Sequence, residues 1–252
     1  MKLIIDNQLI EYKDEGSDRV VLLLHGWGTD LTTFNQLALH LSKKFRVIRF
    51  DFPGFGQSPK PSNDWSVVDY AKLTKEIIEK LKINQIYAII GHSFGGRVAI
   101  KAASFGFIKT EKLILIGSAG VKPSNSLKKN MYKSVAKIGK FVSSAPLINK
   151  MQPALRKKLY KTAGSTDYIE ANQMQKIFLN VINEDLLSDV SKIIQSTLLI
   201  WGENDNETPV SDAKKMMKLL KSGKLVVIPK SGHFVYIDSF DKVNDEIGKF
   251  LS

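Results

Sequence analysis

Cysteine does not occur in this 252-residue sequence. Its absence removes disulfides, thiol nucleophiles and thiolate metal ligands together, so covalent chemistry falls to a hydroxyl, and it fits a reducing compartment. Histidine is scarce: only His25, His40, His92 and His233 occur, no two at the i, i+4 spacing of a helical zinc site, so no metal is expected. Long apolar runs are missing as well. The longest, such as residues 20–24, fall far short of the roughly 20 residues a bilayer demands, and Met1 to Asp6 meets a carboxylate before a signal-like core can build up. The expectation is a cytoplasmic protein with no integral membrane association.

What is present suits a packed globular chain: 43% of residues are apolar and 25% charged, and the length favours one α/β domain carrying an insertion over two thin domains. The net charge of +12 comes mainly from lysine. No aromatic and basic interleaving accompanies it, so nucleic acid is not an expected partner. From residue 20, short apolar runs alternate with helical spacings, the pattern of βαβ units in a mostly parallel sheet. Strands are read at 20–24, 46–50, 86–90, 113–116, 197–201 and 225–228, after a small hairpin at 2–5 and 9–12 turned by Asp6-Asn7. Helices are read at 33–42, 66–81, 94–105, 211–220 and 239–251, with Asp64 or Ser66, and Ser239 or Asp241, as caps. Between residues 120 and 189 the alternation stops. Leu127, Met131, Val135 and Ile138 form one helical stripe, and Pro123, Pro146 and Pro153 divide the segment into short helices. This predicts a core of residues 1–120 and 190–252 with a helical cap, 121–189, inserted in it.

One motif carries chemistry. Gly91-His92-Ser93-Phe94-Gly95 stands directly between a buried strand and a helix, where a sharp turn would hold Ser93 at positive φ and present its hydroxyl at the carboxyl end of the sheet. Glycines two before and two after leave room for the backbone to double back. A serine needs a base, and the base needs a third group to fix its tautomer. His233, after Gly232 in the loop following the last strand, is the candidate base. Asp205, on the loop after the preceding strand, is the candidate acid, favoured over Glu203 by its shorter side chain, with Glu207 a weaker rival. Acyl transfer also calls for donors aimed at an oxyanion, for which the backbone N–H groups of Trp27, in His25-Gly26-Trp27-Gly28, and of Phe94 are placed. His25 is read as locking that loop by hydrogen bonds. The glycine-rich stretch from Asp51 to Ser58 lacks a P-loop ending and is read as turn chemistry.

With these residues in order, the chain resembles the α/β-hydrolase family over nearly its whole length, and more narrowly its small, capped, cofactor-free members: esterases, lactonases, perhydrolases and meta-cleavage-product hydrolases. The resemblance implies an α/β-hydrolase fold with a mostly parallel sheet of about eight strands, a triad of Ser93, Asp205 and His233, an oxyanion hole from Trp27 and Phe94, and no cofactor. It implies hydrolysis of a small or medium ester or lactone. Serine at position 93 sets the chain apart from the relatives that use an aspartate nucleophile. Carbon-carbon bond cleavage remains an alternative, with Arg97 as a cation for a substrate carboxylate or, more simply, a structural arginine; a slow or non-catalytic sensor is another. Residues 122–161 hold ten lysines and one arginine with no acidic residue. Such a field steers an anionic substrate, an acidic acyl carrier protein or an anionic membrane surface, unless it is only a solvated helix face. Phe34, Phe141, Phe178, Met131 and Met174 are candidates for an apolar acyl pocket, though core packing is the commoner fate of such side chains.

Overall fold

Strands β3 (Val20–Leu24) and β5 (Ile86–His92) are buried along their whole length, which requires cover on both faces of the sheet. The computed structural model, which describes residues 1–122 and 174–252, supplies it. Eight strands run in the order β1-β2-β4-β3-β5-β6-β7-β8. β1 (Lys2–Ile5) and β2 (Gln8–Glu15) form the antiparallel hairpin, turned by Asp6 at φ 44° and Asn7 at φ 61°, the left-handed pair that two-residue hairpins favour. β2 joins β4 (Arg46–Phe50) antiparallel, and every later pairing, through β6 (Thr110–Ile116), β7 (Ser196–Gly202) and β8 (Gly223–Ile228), is parallel. This is the α/β-hydrolase fold expected from the sequence.

Alternation along the strands divides the core in two. Leu22, Leu24, Ile89 and Leu115 point into one apolar cluster, Val21, Leu23, Ile90 and Ile116 into the other. The first is covered by α2 (Val67–Lys80), α3 (Phe94–Ser104) and α4 (Gln175–Asn183), the second by α1 (Asn35–Leu41) and the C-terminal helix, Phe240–Leu251. Between them in sequence lie α5 (Leu187–Val190), α6 (Val210–Met217) and α7 (Val235–Asp238), which makes the last helix α8. β3 and β5 are neighbours whose following helices leave to opposite faces, so their carboxyl ends open a crevice at a topological switch point. The loops of Trp27 and Ser93 both start there.

The helices refine several expectations. The one read at 33–42 is a 3-10 turn, Leu31–Phe34, capped by the Asp30 carboxylate accepting from Thr32 N, followed by α1. Ser66 caps α2 in partnership with Asp69, whose carboxylate accepts from Ser66 N at 2.8 Å and Ser66 Oγ at 2.7 Å. Asp64 is not the cap. Ser239 is the N-cap residue of α8, its carbonyl accepting from Val243 N, but its hydroxyl bonds Ser231 Oγ at 2.8 Å rather than a helix N–H, and Asp241 lies inside the helix. Phe34 takes the commoner of its two expected fates, core packing. It packs in the second cluster against Tyr236, ring centroids 4.9 Å apart, across the sheet from Trp27 and Phe94, because the 3-10 turn that carries it covers that face. It lines no pocket near Ser93. The stripe from Leu127 to Ile138, the three dividing prolines, Phe141 and most of the basic stretch lie outside the described residues. Among the described residues no helix is long and apolar enough to cross a membrane.

Candidate active site

The turn after β5 is as tight as its glycines imply. Ser93 sits at φ 50° and ψ −111°, a conformation that costs a side-chain-bearing residue on the order of 1–3 kcal/mol. The backbone closes on itself around it. A Cβ on Gly91 would stand 2.6 Å from the Gly95 carbonyl oxygen, and one on Gly95 would run into the backbone of Leu24. Ser93 N donates to Ile116 O and Ala119 N to Ser93 O, so the end of β6 braces the turn from one side. On the other side, the place a Cβ on Gly26 would take lies 3.5 Å from Ser93 Cβ. The hydroxyl is thus presented, half-buried, at the mouth of the β3–β5 crevice, with the N-terminus of α3 directly behind it.

Two loops further along the sheet meet beside it. His233, on the loop after β8, and Asp205, on the loop after β7, are both buried, and their Nδ1 and Oδ2 atoms are 2.8 Å apart. Asp205 is itself fixed. Its Oδ1 accepts the N–H groups of Glu207 and Thr208, both at 2.9 Å, and its Oδ2 lies 2.8 Å from the Thr208 hydroxyl. These donors fix the Asp205 carboxylate in place, with Oδ2 toward His233 Nδ1. Gly117, at φ 47°, is where these loops crowd β6: a Cβ there would be 3.2 Å from Asp205 Oδ2 and 3.3 Å from His233 Nδ1. Of the rival acids, Glu203 turns to Lys230 N, while Glu207 places a carboxylate oxygen 3.4 Å from His233 Nε2, on the side of the ring away from Asp205.

Trp27 and Phe94 form the wall next to Ser93, their rings 5.4 Å apart and nearly perpendicular. Among the described residues neither backbone N–H is taken by an internal acceptor. Phe55 meets Trp27 edge-on at 4.9 Å and Phe178 packs against it at a tilt, 5.1 Å away, and Met174 lies directly over Gly54. Phe178 and Met174 therefore join this apolar wall, on the helix that returns after the undescribed segment. His25 holds the loop from beneath: Nδ1 donates to Gly26 O at 2.8 Å and Nε2 accepts from Phe52 N at 3.0 Å. Burial drives its pKa down to about 4, against the opposing pull of the Gly26 carbonyl and Asp30, so it remains neutral. The stretch from Asp51 to Ser58 is a turn, with Asp51 accepting Leu31 N and Gln57 N.

Arg97, one turn along α3 from Ser93, donates from Nη1 to the Glu184 carbonyl at 2.7 Å, and burial lowers its pKa to about 10. Next to it Lys101 is buried between Glu184 and Asp189, at 2.8 and 2.7 Å. These two cations tie the returning chain to the helix that begins at Ser93.

The family follows from comparison with known proteins: the model of the alpha/beta hydrolase family matches residues 21–246. The chain belongs to that family. Among its relatives, an AB hydrolase superfamily protein of Bacillus subtilis is 28% identical over 94% of this chain and 93% of its own length. A pimeloyl-[acyl-carrier protein] methyl ester esterase of Nitrosomonas europaea is 26% identical over 90% of this chain and 93% of its own. Among solved structures, an esterase from Exiguobacterium antarcticum superposes with a TM-score of 0.77 at 24% identity, covering 98% of this chain and 97% of that one, a likeness of fold. Two members of the site escaped the sequence reading. Thr208, which braces Asp205, had a local signal in the Asp-x-x-Thr-Pro spacing, where an aspartate can accept the N–H groups two and three residues on. His92 had none, since a histidine inside the serine motif has no periodic mark.

Proposed function

We propose that this chain is a serine hydrolase of small or medium carboxylic esters or lactones, working through an acyl-enzyme on Ser93. The observation that carries the reading is the 2.8 Å His233–Asp205 contact on the same rim as a serine held at positive φ. With Nδ1 protonated toward Asp205, Nε2 of His233 takes the Ser93 proton as Oγ attacks the carbonyl carbon. The tetrahedral oxyanion lies before the N–H groups of Trp27 and Phe94, each such donor being worth on the order of 3 kcal/mol. Its collapse breaks the acyl C–O bond, and the leaving alkoxide receives the proton from Nε2. Water then enters by the same route, giving its proton to Nε2, and releases the acid and the free serine.

The aromatic wall of Trp27, Phe55, Phe94 and Phe178 favours an apolar acyl group, and the esterase named among the relatives belongs to the same reaction class. Residues 121–189 are proposed as the cap over this wall, and their basic stretch as a field for an anionic substrate or an acidic carrier. Activity on the true substrate that falls with salt supports that field, and a flat response removes it. The main test is direct. A fluorophosphonate probe should label Ser93, short p-nitrophenyl esters or lactones should be hydrolysed, and Ser93→Ala should abolish both while the protein stays folded. An unlabelled serine together with no turnover across esters, lactones and thioesters ends the proposal.

A further inference from the structure

His92 is buried to 1% exposure between the serine turn and the base loop. Its ring lies 4.8 Å from that of His233, 5.0 Å from Phe234 and 4.9 Å from Tyr236. Nε2 is 3.1 Å from the backbone carbonyl oxygen of His233. A carbonyl only accepts, so Nε2 carries the proton and Nδ1 the lone pair. Nδ1 has no hydrogen-bond partner among the described residues, and it faces Gly26, where a Cβ would come within 2.9 Å. Protonating it would place a cation with no acceptor in the interior. Burial first, and the neighbouring His233 second, hold its pKa well below the usual histidine range. The ring is a fixed neutral donor.

Burial alone would favour an apolar side chain here, so it gives no reason for an imidazole. The hydrogen bond does. Residue 92 adjoins Ser93 in the chain, and its side chain grips the main chain of the residue proposed as base, which leaves few rotatable bonds between the two reacting side chains. On the reading of Ser93 and His233 given above, we infer that His92 is a positioning residue: its Nε2–H···O=C bond to His233 holds the base loop in register with the serine turn. It touches no substrate and transfers no proton. What it sets is the alignment of Nε2 of His233 with Ser93, and misplacements on the order of 1 Å cost roughly a hundredfold in rate.

Two measurements on the full chain test this. In protein carrying 15N-labelled histidine, the four imidazoles are few enough to assign by single substitutions. His92 should stay in the Nε2–H tautomer from about pH 5.5 to about pH 8.5, its proton slow to exchange. With p-nitrophenyl butyrate, His92→Leu should lower kcat roughly 10- to 100-fold with KM changed less than about twofold. His92→Gln, whose amide N–H reaches toward the same carbonyl, should recover most of that loss. A His92 that titrates in this range or carries its proton on Nδ1 overturns the inference. So does a folded His92→Leu protein with wild-type kcat, or a Gln variant as impaired as Leu. Failure of the parent reading looks different: wild-type Ser93 is then unlabelled by fluorophosphonate while the His92 tautomer is still as stated.

Discussion

His25 and His233 occupy equivalent places, each on a loop that leaves the carboxyl end of a strand, each buried, yet their wiring is opposite. Both ring nitrogens of His25 are spent on backbone, one donating to Gly26 O and the other accepting from Phe52 N. Its ring joins the loops after β3 and β4 and has no valence left. His233 spends Nδ1 on a carboxylate that two backbone N–H groups and a threonine hydroxyl hold still, and its Nε2 turns toward the exposed side of the site, where Glu207 lies. Burial is common to both, so burial does not distinguish them. The partners do: main-chain groups at both nitrogens of His25, side-chain carboxylates beside both nitrogens of His233.

The contrast between the two histidines breaks most severely at Asp205, the carboxylate proposed to orient the base. Asp205→Asn keeps the shape but offers an amide that can donate to Nδ1, so the imidazole flips its tautomer and Nε2 carries a proton when it should accept one. A loss in kcat of about ten thousandfold is expected, with the fold intact because the Glu207 and Thr208 N–H groups still find the side-chain oxygen. Steady-state turnover on a p-nitrophenyl ester, set beside the thermal midpoint, measures it. A folded variant with more than about a tenth of wild-type turnover would mean that Asp205 does not orient the base.

The structural histidine should instead show itself in stability against pH. His25 is held at about 4 in the folded chain against 6.5 when unfolded, so the unfolded chain binds the extra proton first. Its contribution is complete above about pH 6.5 and is lost as pH falls toward about 4, with a ceiling of roughly 3 kcal/mol at 1.36 kcal/mol per unit. His92 acts in the same direction, and Asp51, whose pKa burial raises, works against it at the low end. Urea midpoints across that window should fall with acid for the wild type. His25→Gln should be less stable at neutral pH, having lost two backbone contacts, but flatter in slope. An unchanged slope would show that another group carries the acid response.

How far the sequence announced this arrangement depends on what each part needs. The parallel strands were legible because a strand covered on both faces must be apolar throughout, and the serine turn because it cannot close without small residues at 91 and 95. Strand ends were less so. β5 runs on through Gly91 and His92, which still pair with Leu115 and Ile116, although glycine reads as a breaker, and β6 begins in the polar Thr110-Glu111-Lys112 at the exposed foot of the sheet. For Phe34 core packing was the favoured fate, but apolar character says only that a side chain is inside, not on which side of the sheet. His92 and Thr208 act through contacts with residues that only the fold brings near, or through a hydroxyl that composition treats as ordinary.

The smallest expected effect concerns Glu207, and it sharpens the contrast between the two loops. Its carboxylate oxygen is 3.4 Å from His233 Nε2, but the side chain is 59% exposed, so water screens most of the attraction. Glu207→Gln removes that charge, and kcat/KM on a neutral ester should change less than about threefold. The carboxylate lies beside Nε2, the atom that on the proposed reading protonates the leaving group, so the variant should gain relative activity on esters of negatively charged alcohols over neutral ones, and the gain should shrink with salt. A charge preference that salt leaves untouched would place Glu207 outside the reach of the reaction and leave the Asp205 contact as what sets His233 apart from His25.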